Sequence, residues 1–255
     1  MHVRENRAKQ ILATGGTIYT SSVRTTDPAL CEILGYAGFD FVLLDGEHGA
    51  IDASSADGLV QGCHAGGTTP IVRVLRNNDA EAVMNFLDLG AQGILIPHCR
   101  NVDDARALQN ASFYPPKGIR GFGPGRGIGW GRVPSDEYFD TINDTLLLLA
   151  LIEDIEGVDN IDEIAAAGLD VLWIGTGDLT LDYGIPGERD HPKIKEAAQR
   201  ILDACQTHGI VAGYPARNAE DAMWAHDQGF RAIGFGCAEQ YIMQHSRQFL
   251  DAVER

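Results

Sequence analysis

At 255 residues the chain has room for one large domain or two small ones, and a hydrophobic content of 44% is that of a folded core, not of a disordered segment. A formal charge of −16 argues against nucleic acid and anionic membranes as partners, but not against small anions, because a local arginine or metal ion reverses the field inside a cleft. Five scattered cysteines, Cys31, Cys63, Cys99, Cys205 and Cys237, form no Cys-x-x-Cys pair and read as reduced thiols of a cytoplasmic protein, not as a disulfide or zinc framework.

In chain order, the first residues lack the basic-then-apolar pattern of a signal peptide, and no stretch is apolar enough to span a bilayer. Helical spacing covers 3–12. A first strand is expected over 17–21 and a helix over 28–36. Then comes the run 39–48, Phe-Asp-Phe-Val-Leu-Leu-Asp-Gly-Glu-His. Its apolar centre, Phe41 to Leu44, has the character of a strand buried on both faces, as inside a parallel sheet. Asp45, Glu47 and His48 stand where that strand emerges. Three ionisable groups beside a buried strand cost several kcal/mol, roughly, unless they are paired or bind something.

Beyond it the pattern alternates: helix 55–64, strand 70–74, helix 80–89, strand 93–97, helix 103–110, strand 146–152, a helix within 158–167, strand 171–174, helix 193–207, strand 210–213, helix 219–228, strand 232–235 and helix 240–253. At 37–42, 89–94, 167–172 and 228–233 a glycine ends a helix just before an apolar strand, as short αβ links require. Eight such units in one chain of this length predict an α/β fold, a single (β/α)8 TIM barrel spanning 1–255. Only 113–132, rich in glycine, proline, arginine and aromatic residues, breaks the rhythm. Its composition predicts an irregular segment ordered as a lid or a subunit contact.

In such a barrel the groups at the C-terminal ends of the strands converge on one face. Those ends supply Asp45, Glu47 and His48, then Arg73, His98, Glu153, Asp178 and Tyr214. Glu153 directly follows seven apolar residues, and the next strand leads through Gly175-Thr176-Gly177 to Asp178. Two carboxylates at the ends of adjacent strands, with no lysine similarly placed, suit a hard divalent cation such as Mg2+. Either could instead cap a helix or pair with an arginine. Strand alternation puts Arg73 on one face with Ile71. From there its guanidinium either holds a substrate carboxylate through two parallel hydrogen bonds or pairs with Asp45 or Glu47. His48 is a candidate general base, oriented by Asp45 three positions earlier. His98, with no carboxylate beside it in sequence, is a weaker candidate. The backbone amides around Gly177 are free to face an anion.

Together these segments resemble the HpcH/HpaI family of metal-dependent class II pyruvate aldolases. The resemblance runs through 39–48, Pro-Ile-Val-Arg-Val (70–74), Gly-Ala-Gln-Gly-Ile-Leu-Ile-Pro (90–97) and Tyr-Pro-Pro-Lys-Gly-Ile-Arg-Gly (114–121). It continues through Ile152-Glu153, Gly-Val-Asp-Asn (157–160) and Asp-Val-Leu-Trp-Ile-Gly-Thr-Gly-Asp-Leu (170–179). The resemblance implies that Glu153 and Asp178 ligate a divalent ion (Mg2+, Mn2+ or Co2+) and that Arg73 contacts the pyruvate oxygens. It implies that the amides of Gly177 and Asp178 hold the pyruvate carboxylate, with His48, oriented by Asp45, as the acid/base. The ion would act as a Lewis acid on a 2-oxo acid, easing loss of a C3 proton, and the enolate would add to an aldehyde or form when a 4-hydroxy-2-oxo acid is cleaved. A homohexamer, a trimer of dimers with the last helix packed on a neighbouring subunit, is also implied.

Two features depart from that pattern. Leu151 stands where those aldolases often carry glutamine, so the pocket floor should be apolar, and 122–132 is unusually rich in glycine. Both bear on the second substrate and leave the metal and pyruvate positions intact. A metal-dependent lyase on a CoA thioester, like the citrate lyase β-subunit and malyl-CoA lyase, ranks second, because an acidic chain offers little for a nucleotide. A non-catalytic barrel that binds a 2-oxo acid ranks third.

Overall fold

Phe41–Asp45 forms a strand whose apolar side chains are covered on both sides, as are those of Thr69–Arg73, Gly93–Ile96, Leu147–Ile152 and Val171–Ile174. In a computed structural model, which describes residues 4–253, eight parallel strands pair in sequence order and close on themselves. They are β1 (Ile18–Val23), β2 (Phe41–Asp45), β3 (Thr69–Arg73), β4 (Gly93–Ile96), β5 (Leu147–Ile152), β6 (Val171–Ile174), β7 (Val211–Ala216) and β8 (Ala232–Cys237). This is the expected (β/α)8 barrel, with helices between the strands on its outside.

Strand alternation divides the apolar side chains into two cores. Ile18, Phe41, Ile71, Leu95, Leu149, Leu151 and Trp173 point inward and fill the barrel, while Val42, Leu44, Val72, Ile94 and Leu148 point outward beneath the helices. Trp173 meets Phe41 edge to face at 6.3 Å. It fits because β7 and β8 carry glycine beside it: a Cβ on Gly213 would lie 2.4 Å from the indole and one on Gly234 2.8 Å. Asp27, Asp52, Asp79, Asn101 and Asn218 each cap a helix with a side-chain oxygen, which explains why most expected helix starts lie within two or three residues of the observed ones.

Four expectations need correction. The first helix is Arg7–Ala13, shorter than 3–12, and Val3 lies outside the described residues. The helix expected within 158–167 is two short ones, Ile155–Asp159 and Ile161–Ala166, parted at Asn160, whose amide donates to the Arg100 carbonyl at 2.9 Å. Helix Ser135–Thr145 was not expected, since among its residues only Tyr138 and Ile142 are buried and no apolar stripe marks it. Residues 113–132 are irregular as expected, with one 3-10 turn at Arg126–Ile128, but they are not a lid. Arg120 binds Asp88 at 2.6 Å and Arg126 binds Asp57 at 2.8 Å, which pins the segment to helices Ala80–Asp88 and Ala53–Ala65. None of it lines the large cavity described next.

Candidate active site

β2 and β3 are in register such that Asp45 stands opposite Arg73, the last residue of each strand. Both side chains point into the mouth of the barrel, and Asp45 is 1% exposed. Arg73 Nε donates to Asp45 Oδ1 at 2.9 Å and Nη2 to Oδ2 at 2.6 Å, the two-pronged geometry that suits a guanidinium and a carboxylate. Arg24 Nε adds a further bond to Oδ2 at 3.1 Å, and the backbone amides of Glu47 and His48 donate to Oδ1. Burial alone would raise the Asp45 carboxyl, but Arg73, the His48 amide and Arg24 together hold it below its ordinary value. Of the two readings of Arg73, the pairing with Asp45 and Glu47 is the one present. Its Nη1 lies 2.9 Å from Glu47 Oε2 and forms an ion pair with it.

One expectation fails here. Asp45 does not orient the His48 imidazole; it holds the backbone of the turn that carries it. The ring itself is half exposed, with Nε2 3.6 Å from Glu47 Oε2. The reason is geometric, since Asp45 is turned inward onto Arg73 while the chain bends away at Gly46.

β5 delivers Glu153 into the same mouth, 3% exposed. The His98 amide donates to its Oε1 at 2.8 Å, and His98 takes a left-handed φ of 48° that aims this amide at the carboxylate. The His98 ring lies 3.0 Å from Asp154. Burial would lower His98, but that hydrogen bond and the charges of Glu153, Asp154 and Glu47 raise it above its ordinary value. His98 is thus part of the site although its sequence neighbours gave no sign of it. The signal was the twin Glu153-Asp154 at the end of an apolar strand, which needs a cation from elsewhere. Burial pushes the Glu153 carboxyl up to about 7, and Asp178 and Glu47 add like-charge repulsion that His98 only partly offsets.

Asp178 is not at a strand end. It is the third residue of helix Thr176–Asp182, four residues beyond the close of β6 at Ile174, once Gly175 has turned the chain. No side chain caps that helix, and Gly177 is exposed. Gly175 is required where it stands, because a Cβ there would lie 2.4 Å from Glu153 Cβ and 2.7 Å from its Oε2.

Asp45, His48, Arg73, Glu153, Gly177 and Asp178 all line one cavity of about 480 Å³ at the C-terminal end of the barrel. Its floor is apolar, with Leu151 and Trp173 on it, and Leu151 shares its face with Glu153. Tyr214 does not belong to the site. It lies inside β7 and packs outward on Trp224 and Phe230, ring centroids 5.5 and 5.2 Å away.

Among the described residues no group of three or more His, Cys, Asp or Glu side chains is arranged to enclose a metal ion. Glu153 and Asp178 nonetheless fit a hard dication. Both are oxygen donors, the charge of Asp178 disfavours that of Glu153, and among the described residues no arginine or lysine pairs with Glu153. Mg2+ commonly takes only one or two carboxylates and fills its remaining positions with water and substrate.

A family model described as HpcH/HpaI aldolase/citrate lyase matches residues 22–242. The chain is 36% identical over 211 residues to a 5-keto-4-deoxy-D-glucarate aldolase of Enterobacter sp. (strain 638), covering 82% of this chain and 81% of that one. It is 32% identical over 240 residues to a 4-hydroxy-2-oxovalerate aldolase of Rhodococcus jostii (strain RHA1), covering 90% and 89%. Among solved structures, an HpcH/HpaI aldolase/citrate lyase family protein of Burkholderia cenocepacia J2315 superposes with a TM-score of 0.90 at 27% identity, over 96% of this chain and 98% of that one.

Proposed function

The chain belongs to the HpcH/HpaI aldolase/citrate lyase family, and from that premise we propose how its cavity works as a carbon–carbon lyase. The reaction is class II aldol chemistry: a 4-hydroxy-2-oxo acid parts into pyruvate, or a related 2-oxo acid, and an aldehyde, or is formed from them. The observation that carries the reading is the make-up of the cavity wall. It presents two carboxylates from neighbouring barrel units and, among the described residues, no lysine on which a Schiff base could form.

Glu153 and Asp178 hold a divalent ion of the Mg2+, Mn2+ or Co2+ class, which supplies Lewis acidity towards the 2-oxo acid and is worth several kcal/mol, roughly. The backbone amides of Gly177 and Asp178 hold the substrate carboxylate. Arg73, fixed by Asp45 and Glu47, contacts the pyruvate oxygens from the cavity wall. His48 takes the proton from C3 of pyruvate in the synthetic direction. Once the enolate has added to the aldehyde carbon, His48 returns that proton to the new C4 oxygen, and cleavage runs the same transfers backwards. The apolar floor around Leu151 and Trp173 excludes water from the enolate. Asp45 acts by fixing Arg73 and the turn beneath His48.

The same reading includes a cytoplasmic homohexamer, a trimer of dimers in which the last helix packs on a neighbouring subunit. Ile242, Met243 and Phe249 support it, being exposed along helix Ala238–Ala252, as do five cysteines that are all free thiols. Among the described residues no helix is long and apolar enough to cross a membrane.

Pyruvate release from a 4-hydroxy-2-oxo acid tests this function. Release should stop on adding EDTA and return with Mg2+, Mn2+ or Co2+. Turnover only with a CoA thioester, or binding without turnover, would refute it. A second expectation concerns Gly175→Ala. The added methyl must push Glu153 aside, and a displacement of about 1 Å at a reacting group costs on the order of 100-fold in rate. Circular dichroism should show an intact barrel while turnover falls by that order; unchanged turnover would mean that Glu153 has no fixed position to lose.

A further inference from the structure

Four arginines line the large cavity: Arg24, Arg73, Arg189 and Arg217. Three are committed. Arg24 and Arg73 bind Asp45, and Arg217 binds Asp190 through Nη1 at 2.8 Å and Nη2 at 3.1 Å, and Asp221 through Nε at 3.0 Å. The guanidinium of Arg189 has no partner among the described residues. That is unexpected in a chain with 36 acidic residues against 20 lysines and arginines, the more so because its neighbour Asp190 is taken by Arg217.

The backbone that carries Arg189 is nevertheless fastened. Thr180, 1% exposed, donates its hydroxyl to the Gly177 carbonyl at 2.6 Å and accepts the Gly187 amide at 3.0 Å. The Ile185 amide bonds to the Thr180 carbonyl at 2.8 Å, and the Arg189 amide to the Gly187 carbonyl at 2.9 Å. One buried hydroxyl thus ties the loop bearing Arg189 to the residue that faces the cavity. The outcome is local: Arg189 Nη2 lies 3.8 Å from the point a Cβ on Gly177 would occupy. A free guanidinium is held over the Gly177 edge of the site.

Building on the aldolase reading above, we propose that Arg189 binds a substrate carboxylate, closing from the solvent side over the Gly177 edge of the cavity. Arg73 cannot offer its two-pronged face for this, because Asp45 occupies it. All five N–H donors of Arg189 are available, and a planar fork of this kind matches a carboxylate better than an ammonium does. Two carboxylates could reach it: that of the 2-oxo acid itself, which the closeness to Gly177 favours, and the far carboxylate of an acidic aldehyde.

Steady-state kinetics on Arg189→Gln and Arg189→Lys, with pyruvate and either butanal or succinic semialdehyde in the presence of Mg2+, separate the two. Arg189 is exposed on a surface loop, so both variants should fold as the wild type does. The expected result is a rise in KM for pyruvate of about 10- to 100-fold in Arg189→Gln with both aldehydes, the size of one lost charged hydrogen bond. kcat should move by less than about threefold, and Arg189→Lys should recover part of the loss. A loss confined to succinic semialdehyde would also support a carboxylate-binding Arg189, and would assign it to the far end of the aldehyde. If the wild type turns over and neither KM changes in Arg189→Gln, this role is overturned while the aldolase reading stands. Absence of metal-dependent turnover in the wild type would overturn both.

Discussion

Glu153→Gln should lower metal-dependent turnover by about a thousandfold or more and leave the barrel folded. The substitution keeps the side chain's shape and still offers an oxygen to the His98 amide, which now donates to Oε1 at 2.8 Å. What it removes is the charge. In a site where burial and Asp178 disfavour that charge and His98 only partly offsets them, its remaining return is in binding a cation. Lewis-acid stabilisation worth about 4 kcal/mol corresponds to roughly a thousandfold in rate. Removing a carboxylate that is costly to bury should also leave stability unchanged or slightly higher. Loss of turnover with equal or higher Tm is therefore the expected signature, checked by initial rates and thermal unfolding on the same preparations. Undiminished turnover would refute the ligand assignment.

Asp45→Asn should act through stability. Asp45 gathers five donors at the end of β2, from Arg73, Arg24 and the turn amides of Glu47 and His48. Asparagine cannot accept both prongs of Arg73, which leaves a buried guanidinium beside an amide nitrogen. Breaking one side of a buried ion pair costs about 3–5 kcal/mol, most of it at Arg73, since Arg24 is 44% exposed and screened by water. For a domain of this size that is a fall in Tm of about 10 °C. The pH dependence has a definite sign. The folded-state carboxyl is held below its ordinary value, so its contribution is complete above the unfolded value near pH 4, approximately, and is lost as pH falls through the folded value. The gap in stability between wild type and Asp45→Asn should be widest near neutrality and close in acid; a gap independent of pH would contradict the assignment.

Most strands were legible because they are apolar runs, several of them preceded by glycine, and a parallel barrel buries such runs on both faces. Within them, Phe41–Asp45 and Val171–Ile174 lie where alternation and hydrophobicity put them. What the chain order hides is contact across it. Arg73 and Asp45 are 28 residues apart, and only barrel register makes them partners. His98 looked isolated because its carboxylate, Asp154, lies 56 residues on. Arg189 sits in a loop with no periodicity, and its place at the cavity depends on a hydroxyl nine residues earlier that no local pattern singles out. Helix Ser135–Thr145 was missed for a different reason: two buried side chains, Tyr138 and Ile142, do not make a stripe. Asp178, which the apolar run places at a strand end, lies instead in a helix, because Gly175 turns the chain sooner than that run suggests.

The central claim is that Glu153 and Asp178 together hold one dication at the mouth of the barrel. Calorimetric titration of Mn2+ into the metal-free wild type, Glu153→Gln and Asp178→Asn tests it without reference to turnover. One ion per chain in the wild type, with affinity reduced by about a hundredfold or more in each variant, is the predicted result. Equal affinity in all three proteins, or a wild type that takes up no ion, would contradict it.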